Sequence, residues 1–318
     1  MLKITFKSKN DKITKLAPTR IIVFSFVALI LTGAVLLTLP ISSRSGNWTP
    51  FIDALFTSTS ASCVTGLVVY DTYNHWSTVG QVIILMLIQA GGLGIITLAT
   101  FFSVLFGRKV GLRGMILAQE SINNFSFEGV LRLIKKVVLV TLSVELIGAL
   151  LLSISFVPRF GLKGFYFGLF HGVSAFCNAG FDLMSSMGKG EFVSLTSFNN
   201  DPIVIYTIPA LIIIGGLGFI VWKDLYEYKK TKSLMLHTKV VLVITAVLIV
   251  SGAVFFFFAE YNNTMSKMNL FEKFNAAVFH SVTTRTAGFN SLDLNGMYEI
   301  SKFATVVLMF IGAAPGST

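Results

Sequence analysis

Polar and apolar positions alternate coarsely along the chain, in long apolar runs and short polar breaks. Apolar runs cover Ile21–Leu39, Val82–Phe106, Val137–Val157, Pro202–Trp222 and Val240–Ala259, and a further run starts near Phe303. A hydrocarbon core of about 30 Å takes about 20 helical residues to cross, so each complete run predicts a membrane span. Three shorter apolar segments sit between them: Phe51–Ser62, Leu162–Phe176 and Leu270–Thr284. These are too short to cross, and they predict half-helices that enter the membrane and return. Each runs into a small residue, a glycine and an apolar side chain: Thr65-Gly66-Leu67, Ala179-Gly180-Phe181 and Ala287-Gly288-Phe289. The pattern is a threefold repeat of span, half-helix, loop and span.

Composition agrees with that pattern. The 318 residues are 54% hydrophobic and only 13% charged, with 30 Phe, which is a membrane composition. The net charge of +10 points away from nucleic acid once its distribution is read. Basic residues cluster in Lys3–Arg20, Arg108–Lys136 and Lys223–Lys239 and alternate with less basic segments. Lys/Arg bias marks the cytoplasmic side, so the N-terminus is expected inside and residues 1–20 read as a basic topogenic arm. The first run is too long for a signal peptide core. Cys63 and Cys177 are no disulfide framework.

The half-helices carry the chemistry. Irregular backbone at membrane depth survives where protein buries it or where it lines a water-filled cavity. A helix C-terminus is partially negative, and carbonyls beyond it can replace the hydration water of a cation. Gly66, Gly180 and Gly288 supply the backbone freedom to aim such carbonyls. Gly91–Gly94 and Gly215–Gly218 read as close packing around a pore, with a moving hinge as the alternative. Pro209 predicts a kink. Arg285 stands where the other copies have Cys63 and Cys177, and is expected to brace its loop. Glu145 and His171 are expected to hydrogen-bond to neighbouring elements. Asp71, Asp182 and Asp293 trail the three loops and read either as an attractive outer mouth or as ordinary outer-loop residues. His75, His237 and His280 show no metal spacing.

Cys63–Leu67 with Val69-Tyr70-Asp71, then His171–Phe181, then Arg285–Leu292 resemble the ion-translocating subunit of the Trk/Ktr/HKT superfamily of potassium transporters, most closely the Ktr type. The resemblance implies an all-α polytopic membrane protein of tandem helix–pore loop–helix repeats around a central pore. Its domains would be a basic arm (1–20), repeat one (21–112), repeat two with cytoplasmic loops (113–239) and repeat three (240–318). The family has four such units. Three are present here, the third incomplete in its second span, so the sequence is expected to belong to a longer chain. By the same resemblance, Val64, Thr65, Gly66, Asn178, Ala179, Gly180, Thr286, Ala287 and Gly288 are filter positions for potassium. Gly312, Ala313, Ala314, Pro315, Gly316 and Ser317 look like the first half of the family's gate loop.

The resemblance further implies potassium uptake across the plasma membrane, with sodium as a coupling ion. It implies a cytosolic nucleotide-binding regulatory ring and a homodimer in membrane lipid. No cofactor beyond the ions is expected in this subunit. Two other readings stay open: a secondary transporter for another cation or solute, and a membrane-embedded enzyme using His171, Asp182 and Glu145.

Overall fold

The computed structural model describes residues 18–105, 114–117, 130–187, 190–314 and 316–317. Most of the basic arm, much of the Arg108–Lys136 loop with the 112/113 repeat boundary, and Pro315 lie outside the described residues. Those described are helical or irregular, apart from one isolated antiparallel bridge between Ser43 and Trp76.

Repeat one contains α1 (Pro18–Thr38), the half-helix α2 (Phe51–Ser62), the short α3 (Thr72–His75), α4 (Thr78–Gly92) and α5 (Ile95–Leu105). Repeat two contains α6 (Val130–Phe160), the half-helix α7 (Lys163–Phe176), α8 (Pro202–Gly216) and α9 (Phe219–Thr231). Repeat three contains α10 (Leu236–Ala259), the half-helix α11 (Leu270–Thr283) and α12 (Glu299–Ile311). The starts are encoded locally. Asp71 caps α3 and Ser77 caps α4. Asp201 caps α8 with Pro202 in the first turn, and Asn269 with Glu272 forms a capping box on α11.

Two expected spans are not continuous. Val82–Phe106 breaks after Gly92, and α4 and α5 meet at 93°. Pro202–Trp222 breaks after Gly216, with α8 and α9 at 92°. Gly94 at φ 77° and Gly218 at φ 86° make these corners. Such positive-φ backbone costs an L-residue about 1–3 kcal/mol, which glycine avoids. The helix α8 runs through Pro209, so the corner belongs to glycine and not to proline. Among the described residues, Thr19–Thr38, Leu133–Phe160 and Leu236–Ala259 are each long and apolar enough to cross a membrane, and with each bent pair counted as one span there are up to five.

The half-helix α7 lies at the centre. Phe167, Phe170, Phe176 and Phe181 are buried with Phe156, Phe198 and Phe289. Its approach to α6 depends on Gly164, Gly168 and Gly172, spaced by four. A Cβ on Gly164 would lie 2.5 Å from Val157 N, and one on Gly168 2.6 Å from Ala149 O. Missing side chains thus let two helices touch backbone to backbone. Outward faces are apolar, as with Leu142, Leu146 and Leu150 on α6 and Val243, Val247 and Val254 on α10.

Candidate ion pathway

Loops 1 and 2 leave their half-helices by the same turn. In loop 1, Val64 N–H donates to Ala61 O (3.3 Å) and Thr65 N–H to Ser60 O (2.9 Å). In loop 2, Asn178 N–H donates to Ala175 O (3.1 Å) and Ala179 N–H to Ser174 O (2.7 Å). This six-to-one and five-to-two pairing is a Schellman cap, and it requires a left-handed residue between. Val64 at φ 56° and Asn178 at φ 58° supply it. Asn tolerates that region, whereas β-branched Val is an outlier there and stores strain. Loop 3 differs. Ala287 and Gly288 both donate to Thr283 O, at 2.9 and 3.1 Å, and Gly288 alone takes positive φ, at 80°.

The three loops adjoin in sequence order. A Cβ on Gly66 would lie 2.5 Å from Ala179 O of loop 2. A Cβ on Gly180 would overlap Ala287 O of loop 3. Beside Gly288 there is open space, with nothing within 4 Å of such a Cβ. Burial follows that order. Asn178 and Ala179 in the middle loop are buried, while Thr65 at one end of the row and Gly288 at the other are exposed.

A polar tier joins the loop exits. Asp71 accepts from Tyr73 N–H (3.1 Å), Asn74 N–H (2.8 Å) and Phe192 N–H (3.0 Å), and from the Ser185 hydroxyl. It therefore ties loop 1 to the segment after loop 2, and is buried and spent on structure. Leu195 N–H donates to Asn290 O (2.9 Å), Asn290 N–H to Ser194 Oγ (3.1 Å) and Asn199 Nδ2 to Ser291 O (2.8 Å). These bonds tie the same segment to loop 3. Asp182 accepts from Met184 N–H (3.0 Å), and Asp293 is exposed with its carboxylate on Asn295 N–H (3.0 Å).

Behind loop 2, buried Glu145 accepts from Gln89 Nε2 (3.1 Å) and lies 3.7 Å from the Cys177 thiol. His171 pairs with Phe167 O (2.7 Å) and accepts from Leu183 N–H (3.3 Å). Arg285 donates from Nη2 to Gly312 O (3.2 Å), away from its own loop. Gly312 ends α12 at φ 65°, before Pro315. Ala313, Ala314, Gly316 and Ser317 follow, and Ala314 N–H donates to Gly216 O (3.1 Å). Gly91 sits against Ser62 O and Gly92 against the Cys177 side chain, so both pack behind the loops, while Gly94 and Gly218 turn the chain. Among the described residues no group of His, Cys, Asp and Glu could hold a metal ion.

The sequence reading missed two features. One is the glycine series Gly164, Gly168 and Gly172, legible as a spacing of four. The other is the polar tier at the loop exits, in which the acceptors on loop 3 are backbone oxygens that side-chain patterns do not report.

The sequence matches the TrkH family, described as a cation transport protein, over residues 1–318. It is 42% identical over 306 residues to the Potassium/sodium uptake protein NtpJ of Enterococcus hirae, covering 96% of this chain and 66% of that protein. It is also 42% identical over 316 residues to Ktr system potassium uptake protein B of Bacillus subtilis, covering 98% and 69%. The chain thus spans about two thirds of the length of these curated relatives. The crystal structure of the potassium transporter TrkH from Vibrio parahaemolyticus superposes with a TM-score of 0.66 over 98% of this chain and 60% of that one. At 18% identity that likeness establishes the shared fold. With the family match running the whole length, and the half-helices and their loops arranged as described, the chain is a multi-pass membrane protein that belongs to the TrkH cation transport protein family.

Proposed function

We propose that this chain forms most of the conducting unit of a potassium uptake system of the Ktr/Trk kind. The observation that carries the reading is the row of three half-helix loops, in which a carbonyl of each later loop abuts the filter glycine of the one before. Val64, Thr65 and Gly66, then Asn178, Ala179 and Gly180, then Thr286, Ala287 and Gly288 supply backbone oxygens in place of water around a dehydrated potassium ion. Half-helix C-termini add partial negative charge toward the same place. The open side of Gly288 suits one further loop of the same kind.

In this reading the protein does no bond chemistry. Inward movement of one charge releases about 2.3 kcal/mol per 100 mV of potential, negative inside. Residues 1–20, 21–112, 113–239 and 240–318 are the basic arm and three pore units, in the plasma membrane with the N-terminus cytoplasmic. The names of the relatives support potassium as cargo, and NtpJ's adds sodium. A cytosolic nucleotide-binding ring, a homodimeric membrane assembly and sodium coupling complete the proposal. The test is potassium uptake by the complete gene product in a cell lacking its own uptake systems. Restored growth at low potassium, abolished by Gly180→Ala, is the expected result. Uptake indifferent to substitution of all three filter glycines sinks the assignment.

A further inference from the structure

The threefold repeat sets Glu145 beside two counterparts. In repeat one the Ser58 hydroxyl, on the half-helix, donates to Ile30 O of the span before it (2.7 Å). In repeat three the Ser281 hydroxyl donates to Ile249 O (2.8 Å). In repeat two the half-helix has Gly172 at this contact, and a Cβ there would lie 3.0 Å from Glu145 O. The first span of each repeat therefore presents Ile30, Glu145 and Ile249 at matching places. Two are apolar, and the third is a carboxyl only 2% exposed. Packing of the half-helix accounts for the isoleucines and leaves the carboxyl unexplained. An ionisable side chain at the centre of a membrane helix costs about 2.5–3.5 kcal/mol on insertion scales. Among the described residues Glu145 enters no ion pair that would offset this cost.

What Glu145 touches lies directly behind the filter loops. Its Oε1 accepts from both Gln89 Nε2 (3.1 Å) and the Cys177 thiol (3.7 Å). Cys177 caps the end of α7 and precedes the left-handed Asn178, so it is where loop 2 begins. Gln89 belongs to the last turn of α4. In that same turn a Cβ on Gly91 would overlap Ser62 O at the end of α2, and one on Gly92 would lie 2.6 Å from Cys177 Sγ. One turn of α4 thus backs the exits of two half-helices, and Glu145 ties that turn to loop 2. On the facing side a Cβ on Gly66 would lie 2.5 Å from Ala179 O. The separation of loops 1 and 2 is bounded from both directions. The other two copies are built differently: Cys63 is exposed, and Arg285 turns to Gly312 O.

We propose that Glu145 is a positioning residue for ion selectivity. Its carboxyl fixes the start of loop 2 against the α4 turn shared by loops 1 and 2, and so sets the spacing of their carbonyl oxygens. A cage of carbonyls discriminates between cations by its size and by the number and strength of its dipoles, so a displaced loop 2 changes which dehydrated ion is held. Glu145 acts through Cys177 and Gln89 and does not touch the ion. The proposal rests on reading the chain as a potassium conductor.

The test measures uptake of potassium against sodium by variants of the complete gene product. Glu145→Leu combined with Gln89→Leu removes both polar partners and keeps their approximate volume, a change that is nearly neutral for folding when donor and acceptor leave together. This pair should reach the membrane folded, with discrimination between the ions reduced about tenfold, the worth of one to two hydrogen bonds. Glu145→Gln retains the shape and an oxygen that accepts from both partners, so its discrimination should stay within about twofold of the parent's. A folded Leu pair that discriminates like the parent overturns the proposal, because the contact is then packing alone. A Gln variant as indiscriminate as the Leu pair also overturns it, because the carboxyl would then act by charge and not by position. If the Leu pair does not fold, Cys177→Ala decides. Loss of the thiol donor should lower discrimination about threefold, and an unchanged ratio overturns the proposal. In each of these cases potassium uptake by the parent leaves the conducting reading standing, whereas a parent that takes up no potassium overturns both.

Discussion

Loop 2 leaves its half-helix through Asn178 in the left-handed region, whereas loop 3 reaches Gly288 through consecutive turns with no such residue. Loop 2 is enclosed. Its glycine meets Ala287 O, and its Cys177 lies against Glu145. Loop 3 is open at its glycine and carries Arg285, which reaches out to Gly312. The two loops share a motif but not its energetics. Loop 2 is fixed by contacts with neighbours on both sides, and loop 3 is fixed on one side and linked to a distant segment on the other. A repeat in sequence therefore predicts where a loop sits, while the neighbours decide how far it can move.

The largest expected effect tests that contrast directly. Gly180→Ala combines a steric clash with the Ala287 carbonyl and a left-handed backbone, together about 3 kcal/mol. Potassium uptake should vanish and the melting temperature of detergent-solubilised protein should fall. A variant as stable and active as the parent would show that loop 2 is not enclosed.

Asp71→Ala comes next. It strips the acceptor shared by Tyr73, Asn74, Ser185 and Phe192, and should cost about 2–3 kcal/mol. Proteolysis between 185 and 195 should accelerate, because the segment after loop 2 loses its tie to loop 1. Equal cleavage rates would mean that loop 3 alone holds that segment.

Gly288→Ser meets no neighbour, so only the backbone at φ 80° opposes it, by about 1–2 kcal/mol. The protein should fold, and uptake competition between potassium and sodium should shift. Collapse as severe as that of Gly180→Ala would erase the distinction between the open and the enclosed loop.

The smallest effect concerns the C-terminal end of α10, in repeat three. Burial works against ionisation of Glu260, yet donors from Tyr298 N–H (3.0 Å), Thr264 Oγ1 (2.9 Å) and Asn263 Nδ2 (2.7 Å) prevail and hold it below its ordinary 4.5. A depressed carboxylate adds stability that is present above its unfolded value and is lost as pH falls through the folded one. Glu260→Gln should therefore be less stable than the parent at neutral pH, by about 1 kcal/mol. The gap should close as pH drops below 4.5. A gap of constant size from neutral to acid would remove the carboxylate from the account.

Much of this was legible in residue order. The half-helix Phe51–Ser62 has the bounds its apolar run indicates, and α7 and α11 differ from theirs by one residue. The loops are marked by recurrent small-Gly-apolar triplets. The corners at Gly94 and Gly218 were not legible as corners. An apolar run reports the hydrophobicity of both limbs and is blind to their angle, and a glycine allows a left-handed turn without demanding one. Arg285 was legible as an anomalous charge, but its acceptor is a carbonyl 27 residues away, which no side-chain pattern reveals.

The sequence alone determined the membrane class, the threefold repeat, the half-helix positions and the glycines of the loops. These follow from local hydrophobicity and backbone freedom, which each segment carries with it. Only the tertiary structure decided the order of loop contacts, the open flank of Gly288, the right-angled breaks and the partner of Arg285. Those depend on carbonyls and empty Cβ positions meeting across the fold, and every residue has the same carbonyl whatever its letter.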